Sequence, residues 1–182
     1  MRPSVGERGS HKVSIFDIAE DRGQKIAADM GDAAIFCSTN VTDDTSVQNA
    51  LDSTVQAVGA IHVAVNCAGV RAPAKVLGRD APMSMEQFNG VVQINLMGTV
   101  NVIRLSAERM LRNVPNDDGE KDVITNAASA APFEGQIQAT AVGMNLPVAR
   151  EFADYGIRTG WSLGNGRKIG AKNMGGINLI SQ

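Results

Sequence analysis

Short apolar runs alternate along this chain with longer stretches in which apolar residues return every three or four positions. The runs Lys12 to Asp17, Ala33 to Ser38, Ile61 to Asn66 and Asp122 to Ala127 read as strands, and Gly156-Ile157-Arg158 as the edge of another. Between them, Ala19 to Met30 reads as a helix, with Ile26 and Met30 four apart. Thr42 to Val58 reads as an amphipathic helix with Val47, Leu51, Val55 and Val58 on one face, Thr42 serving as its N-cap ahead of two acidic residues. Ser84 to Asn113 reads as one long helical stretch whose apolar residues go nearly all round, and a helix of about Gln138 to Ala153 follows. Strands and helices in alternation, with strands apolar along their length, predict an α/β fold with a parallel sheet.

The long stretch adds an expectation about assembly. A helix apolar on every side must be covered on every side, so the sheet takes one face and a second copy of the chain the other, with Val100 and Ile103 among the covered residues. The loops around Arg71 to Pro82 and Asn113 to Gly119 are rich in turn residues. Gly164 to Gln182 carries five glycines and no helical or alternating period, so it reads as loop or disordered tail. Within it, Gly164-Asn165-Gly166-Arg167-Lys168-Ile169-Gly170 imitates a phosphate loop, but Asn173-Met174-Gly175-Gly176 is unsuited to opening the helix such a loop requires.

Composition narrows the function. The chain has 182 residues, 43% of them hydrophobic and 20% charged, which suits one globular domain. A net charge of −2 with scattered Lys and Arg gives no basic field for nucleic acid. No apolar run approaches the roughly 20 residues that span a bilayer, and the first residues lack the apolar core of a secretory signal, so an intracellular protein, cytoplasmic or mitochondrial, is expected. Cys37 and Cys67 lie in strand-like runs as free thiols, which excludes a disulfide scaffold, and no metal-ligand cluster stands out.

The candidate chemistry gathers at strand ends. Asp17 closes the first strand, where a carboxylate accepts hydrogen bonds from an adenosine ribose and repels a 2′-phosphate, or caps the helix that follows. Asn66-Cys67-Ala68-Gly69 closes Ile61-His62-Val63-Ala64-Val65; residues this small let a flat ligand approach the backbone, or simply make a strand-ending turn. Cys67 accordingly lines a cleft or fills the core. Ser129 ends the fourth strand as a turn residue or N-cap, and His62 reads as a core or edge histidine.

Ser14-Ile15-Phe16-Asp17-Ile18, Asn66-Cys67-Ala68-Gly69, Asn95-Leu96-Met97-Gly98-Thr99 and Asn126-Ala127-Ala128-Ser129, in that order, resemble the short-chain dehydrogenase/reductase family. Asn101-Val102-Ile103-Arg104-Leu105, the insertion Asn113 to Lys121, and Phe133-Glu134-Gly135-Gln136 resemble its type 2 3-hydroxyacyl-CoA dehydrogenase branch. The resemblance covers about residues 12 to 158 with a gap. It implies a Rossmann-like doubly wound sheet, NAD as cofactor, an acyl-CoA or hydroxysteroid-like substrate and a homo-oligomer built through helix 84–113. It also implies roles for residues. Asp17 would hold the ribose, Asn40-Val41 the adenine, and Asn66, Cys67, Ala68 and Gly69 the cofactor through their backbone. Ser129 would orient the substrate, and Asn95 would support a water relay to the family's catalytic lysine.

The same resemblance exposes departures. The family's acid/base is a Tyr-x-x-x-Lys turn, in which the ammonium lowers the phenol's pKa. Here the single tyrosine, Tyr155, is followed four residues later by Thr159, and Val142 stands where the tyrosine is expected. Only 16 residues precede Asp17, too few for the strand, glycine-rich loop and helix that cradle the pyrophosphate. The expected architecture is therefore an incomplete doubly wound sheet, its first and C-terminal strands missing or unrecognisable: a leader at 1–11, a partial dinucleotide-binding domain at 12–163 and a glycine-rich tail at 164–182. The missing first strand would lie between the strands ending in Asp17 and Asn66, leaving two interior edges open. Two functions follow: an NAD-dependent oxidoreductase acting on 3-hydroxyacyl-CoA or a similar secondary alcohol, or an inactive relative that only associates with related subunits.

Overall fold

The computed structural model describes residues 12–70, 76–79, 81–128, 143–163 and 178–181. Strand β1 (Val13–Asp17) leads through helix α1 (Glu20–Met30) to β2 (Ala34–Ser38), and helix α2 (Asp44–Val58) leads to β3 (Val63–Asn66). Helices α3 (Met85–Val92) and α4 (Thr99–Met110) precede β4 (Asp122–Ala128), and α5 (Asn145–Ala153) precedes β5 (Ile157–Leu163). A last strand, β6 (Asn178–Ser181), completes one six-stranded sheet in the order β2-β1-β6-β3-β4-β5. The pairs β1–β2, β3–β4 and β4–β5 are parallel. Because right-handed crossovers carry the chain from β1 outward to β2 and then back across to β3, α1 covers one face of the sheet, and α2, which packs on α4, covers the other.

The tail corrects the sequence reading. Asn178–Ser181 is strand rather than loop, and it lies between β1 and β3, antiparallel to both. Val13 to Phe16 pair with Ser181 back to Asn178, and Val63 to Val65 pair with Ser181 back to Leu179. The slot expected to leave two open edges is thus filled by the chain's own residues. The physical reason is that β1 is buried from Ser14 to Asp17, and an edge so apolar gains by pairing with any strand that can reach it. A second correction is at β5, which does not end at Arg158 but continues to Leu163, in register with β4 from Asp122 to Ala128.

Other boundaries shift by little. The α2 cap is Asp43, whose Oδ1 accepts from Ser46 N at 2.7 Å, while Thr42 donates its backbone N–H and hydroxyl to Asn40 Oδ1. The stretch 84–113 is helical but not uniform: between α3 and α4, Gln93–Gly98 forms a π-helical turn. Nor is it apolar toward a partner all round. Ile103, expected at a subunit interface, is 4% exposed and belongs to its own chain's core with Val102, Leu105 and Met110. Burying a side chain of this size contributes about 1.5–3 kcal/mol, so the position is decided inside the protomer.

At the amino ends of β3 and β4, the fully buried Asp122 carboxylate accepts from His62 Nδ1 at 2.8 Å and from Asn113 Nδ2 at 3.0 and 3.1 Å. His62 is therefore a sheet-end partner for a buried charge, which would be costly without it. On the other face, α1 approaches β2 so closely that a Cβ on Gly23 would stand 2.0 Å from the Phe36 ring.

Two outcomes follow. Gly23→Ala forces Phe36 aside and should lower the stability by about 1–3 kcal/mol in denaturant unfolding; an unchanged midpoint would mean that the ring yields freely. Ile180→Pro removes a ladder donor from β6 and should strip amide-exchange protection from both Val13–Phe16 and Val63–Val65 together. Protection persisting in either strand would show that β6 does not bind the two halves of the sheet.

Candidate functional site

The parallel strands end side by side, and the polar residues singled out in the sequence collect at those ends. Asp17, the last residue of β1, has a side chain only 6% exposed. Its Oδ1 accepts the Ala19 backbone N–H at 2.9 Å, and its Oδ2 pairs with the Arg22 guanidinium one turn into α1. Both alternatives for this carboxylate therefore meet in one geometry: it anchors the start of α1, and it stands where a ribose would lie. Its orientation is fixed from two sides, while a carboxylate retains further lone pairs for a ligand.

After β2 the chain turns at Asn40 and Val41. Asn40 Oδ1 is engaged by Thr42, and its N–H donates to Ser46 Oγ at 3.0 Å, so this side chain shapes the turn. Val41 is buried, and its carbonyl accepts from Asn101 Nδ2 at 2.9 Å. Gly98 makes that approach possible, since a Cβ there would stand 2.6 Å from a Val41 methyl group. Asn101 Oδ1 in turn accepts from Arg104, which also pairs with Asp44. This buried relay from α4 to the β2–α2 loop was not recognised in the sequence. Its signal was available: Asn101 is an amide set between Val100 and Val102-Ile103 in the most apolar part of the helical stretch.

Beyond β3, Asn66 is buried, and its Nδ2 donates to Asn126 Oδ1 at 2.8 Å; Asn126 Nδ2 then donates to Asn145 Oδ1 at 2.9 Å. Three buried amides thus join the ends of β3 and β4 to the start of α5. Cys67 is half-buried, and burial pushes its thiol pKa up, as it does for Cys37. Ala68 packs against the core. Gly69 faces the Asn95 side chain, 3.3 Å from where its Cβ would be.

Asn95 sits in the π-helical turn and clamps the loop after β3. Its Oδ1 accepts the Val70 N–H at 2.8 Å, and its Nδ2 donates to the Val70 carbonyl at 3.0 Å, as a neighbouring strand would. Its backbone carbonyl accepts from Thr99 Oγ1 at 2.9 Å. Ser129, Val142 and Phe133-Glu134-Gly135-Gln136 lie outside the described residues. Tyr155 follows α5 in the turn that enters β5, at the amino end of that strand and so at the opposite edge of the sheet from Asp17 and Asn66.

Polar groups gathered at the carboxyl ends of parallel strands in a doubly wound sheet mark a Rossmann-like α/β domain. The family model described as short chain dehydrogenase matches residues 4–158, and the chain belongs to that family. Within it the chain falls in the type-2 3-hydroxyacyl-CoA dehydrogenase branch. It is 38% identical to that enzyme of Drosophila melanogaster over 156 residues, covering 80% of this chain and 61% of the relative. It is 40% identical to the Homo sapiens enzyme over 154 residues, covering 79% and 59%. The crystal structure of the Mycobacterium avium type-2 enzyme superposes with a TM-score of 0.73 at 33% identity, covering 81% of this chain and 62% of that one. The chain therefore spans about three fifths of the length of these relatives.

Asn95→Ala removes both bonds to Val70. Each is worth about 0.5–1.5 kcal/mol, so hydrogen exchange at the Val70 amide should accelerate by roughly ten- to a hundredfold while the core of α4 keeps its protection. An unchanged Val70 rate would show that the clamp does not hold the loop.

Proposed function

We propose that this chain carries the nucleotide-recognising part of an NAD(H)-linked oxidoreductase acting on a 3-hydroxyacyl-CoA or similar secondary alcohol. The observation that supports it most is Asp17, a carboxylate locked at the carboxyl end of β1 beside the point where the strand order reverses. The cofactor's adenosine end fits these residues. Asp17 would accept from the ribose hydroxyls, the loop at Asn40 and Val41 would flank the base, and Asn66 to Gly69 would offer backbone to the cofactor. Asn95 would keep that backbone in place, and Ser129 is assigned the substrate oxygen. The pyrophosphate does not fit: the helix that follows β1 opens with Glu20 and Asp21, and β6, between β1 and β3, runs antiparallel to both and opens no helix toward the cleft. No chemical step is therefore derived through the cofactor.

A second reading is an inactive family member that associates with related subunits through the 84–113 segment. One observation favours it: Tyr155 lies at the far edge of the sheet, 49% exposed, so the single phenol of the chain is remote from the cleft. Met97 and Leu111, exposed apolar residues of the same helical segment, supply contact surface for such a partner. An intracellular site of action, cytoplasmic or mitochondrial, goes with either reading.

NADH absorbance with acetoacetyl-CoA separates the two. A proton step without a positioned phenol and ammonium loses about 10²–10⁴-fold of general acid/base assistance, so turnover at least about a hundredfold below ordinary dehydrogenases is expected. Ordinary turnover would refute the remoteness of the acid/base, and complete inactivity with nucleotide binding intact would favour the second reading.

A further inference from the structure

We propose that the cleft recognises the adenosine half of its ligand alone, binding adenosine, AMP and NAD+ with nearly equal affinity. This rests on the nucleotide reading given above and sharpens it. In a doubly wound sheet, a pyrophosphate sits where a strand's carboxyl end opens into a helix N-terminus at the reversal of strand order. Here that position belongs to β6, which runs the other way: Asn178 lies beside Phe16, and Ser181 beside Val13 and Val63. The strand brings its amino end to the cleft, so no helix leaves the sheet from it there.

The two helices that start beside Asp17 and the Asn40 turn repel phosphate. Helix α1 opens with Glu20 and Asp21, and α2 with Asp44 behind the Asp43 cap. Carboxylates in these places already answer the positive helix ends and occupy their donors: Asp17 takes the Ala19 N–H and Asp43 the Ser46 N–H. The cations of the same region are likewise engaged, Arg22 with Asp17 and Arg104 with Asp44. A ribose needs acceptors, and this edge is rich in them. A phosphate needs donors, and at the starts of α1 and α2 the Ala19 and Ser46 N–H groups and the Arg22 and Arg104 guanidinium groups go to carboxylates.

Titration calorimetry of the full chain with adenosine, AMP and NAD+ as separate probes decides the matter. The expected result is three dissociation constants within about threefold of one another, all weakened together, by tenfold or about 1.4 kcal/mol, in Asp17→Asn. 2′-Deoxyadenosine on the unaltered protein reads the same contact without a substitution and should bind more weakly than adenosine. AMP or NAD+ binding more than about thirtyfold tighter than adenosine would overturn the proposal and leave the dinucleotide reading standing. Equal binding of the deoxynucleoside would overturn the Asp17 contact, and no binding of any probe would overturn the proposal and the nucleotide reading together.

Discussion

Main-chain pairing of β6 with two strands that it meets from opposite directions holds this sheet together. Four residues of β1 and three of β3 find their partners in Asn178–Ser181, and through it the pair β2-β1 joins the triplet β3-β4-β5. Without a strand in that slot, the carbonyl and amide groups of two buried edges would lack partners, a cost that recurs at every residue. The slot imposes apolarity and extended backbone; it does not impose direction, because antiparallel pairing is at least as stable per residue as parallel. Direction, however, decides which end of the strand faces the cleft. A parallel occupant would present a carboxyl end to the cleft, whereas β6 presents its start.

Around that sheet, amides fix the loops and strand ends that border the cleft. Asn101 holds Val41, Asn95 holds Val70, and Asn66, Asn126 and Asn145 tie two strand ends to α5. A carboxamide donates and accepts at once, so it can substitute for a missing strand neighbour without the desolvation penalty of a buried ion. Two glycines allow the elements to close to that range, Gly23 under Phe36 and Gly98 under Val41. The one buried carboxylate at the far edge, Asp122, is answered by His62 and Asn113 and lies away from the cleft.

The parts of this architecture legible in the sequence are those governed by local rules. The apolar runs of β1 to β4 and the periodicity of α1 and α2 identify elements, because burial of one face repeats along the chain. Asp17 and Asn66 are likewise found by their positions at strand ends, whereas Asn95 is singled out only by the family resemblance. What escapes is non-local. Nothing in Asn178-Leu179-Ile180-Ser181 distinguishes a strand from a loop until β1 and β3 are known to lack a neighbour, and glycines before it suggest a tail. The continuation of β5 past Arg158 is of the same kind, since Gly160 weakens the run locally and pairing with β4 holds it in register. The side that Ile103 faces is not legible either, because an all-round apolar helix looks the same whether its own core or a second copy covers it.

The acidic helix starts connect these observations. Carboxylates at the first turns of α1 and α2 stabilise their own helices, which is the ordinary use of the helix dipole. The same placement uses up the feature by which an α/β cleft attracts phosphate, so local stability and anion recognition compete for one set of N–H groups. In this chain the competition is settled for stability at each of the two helices beside the adenosine end. Recognition is then left to groups that accept hydrogen bonds, and the ligand that matches an accepting edge is one that donates from its sugar.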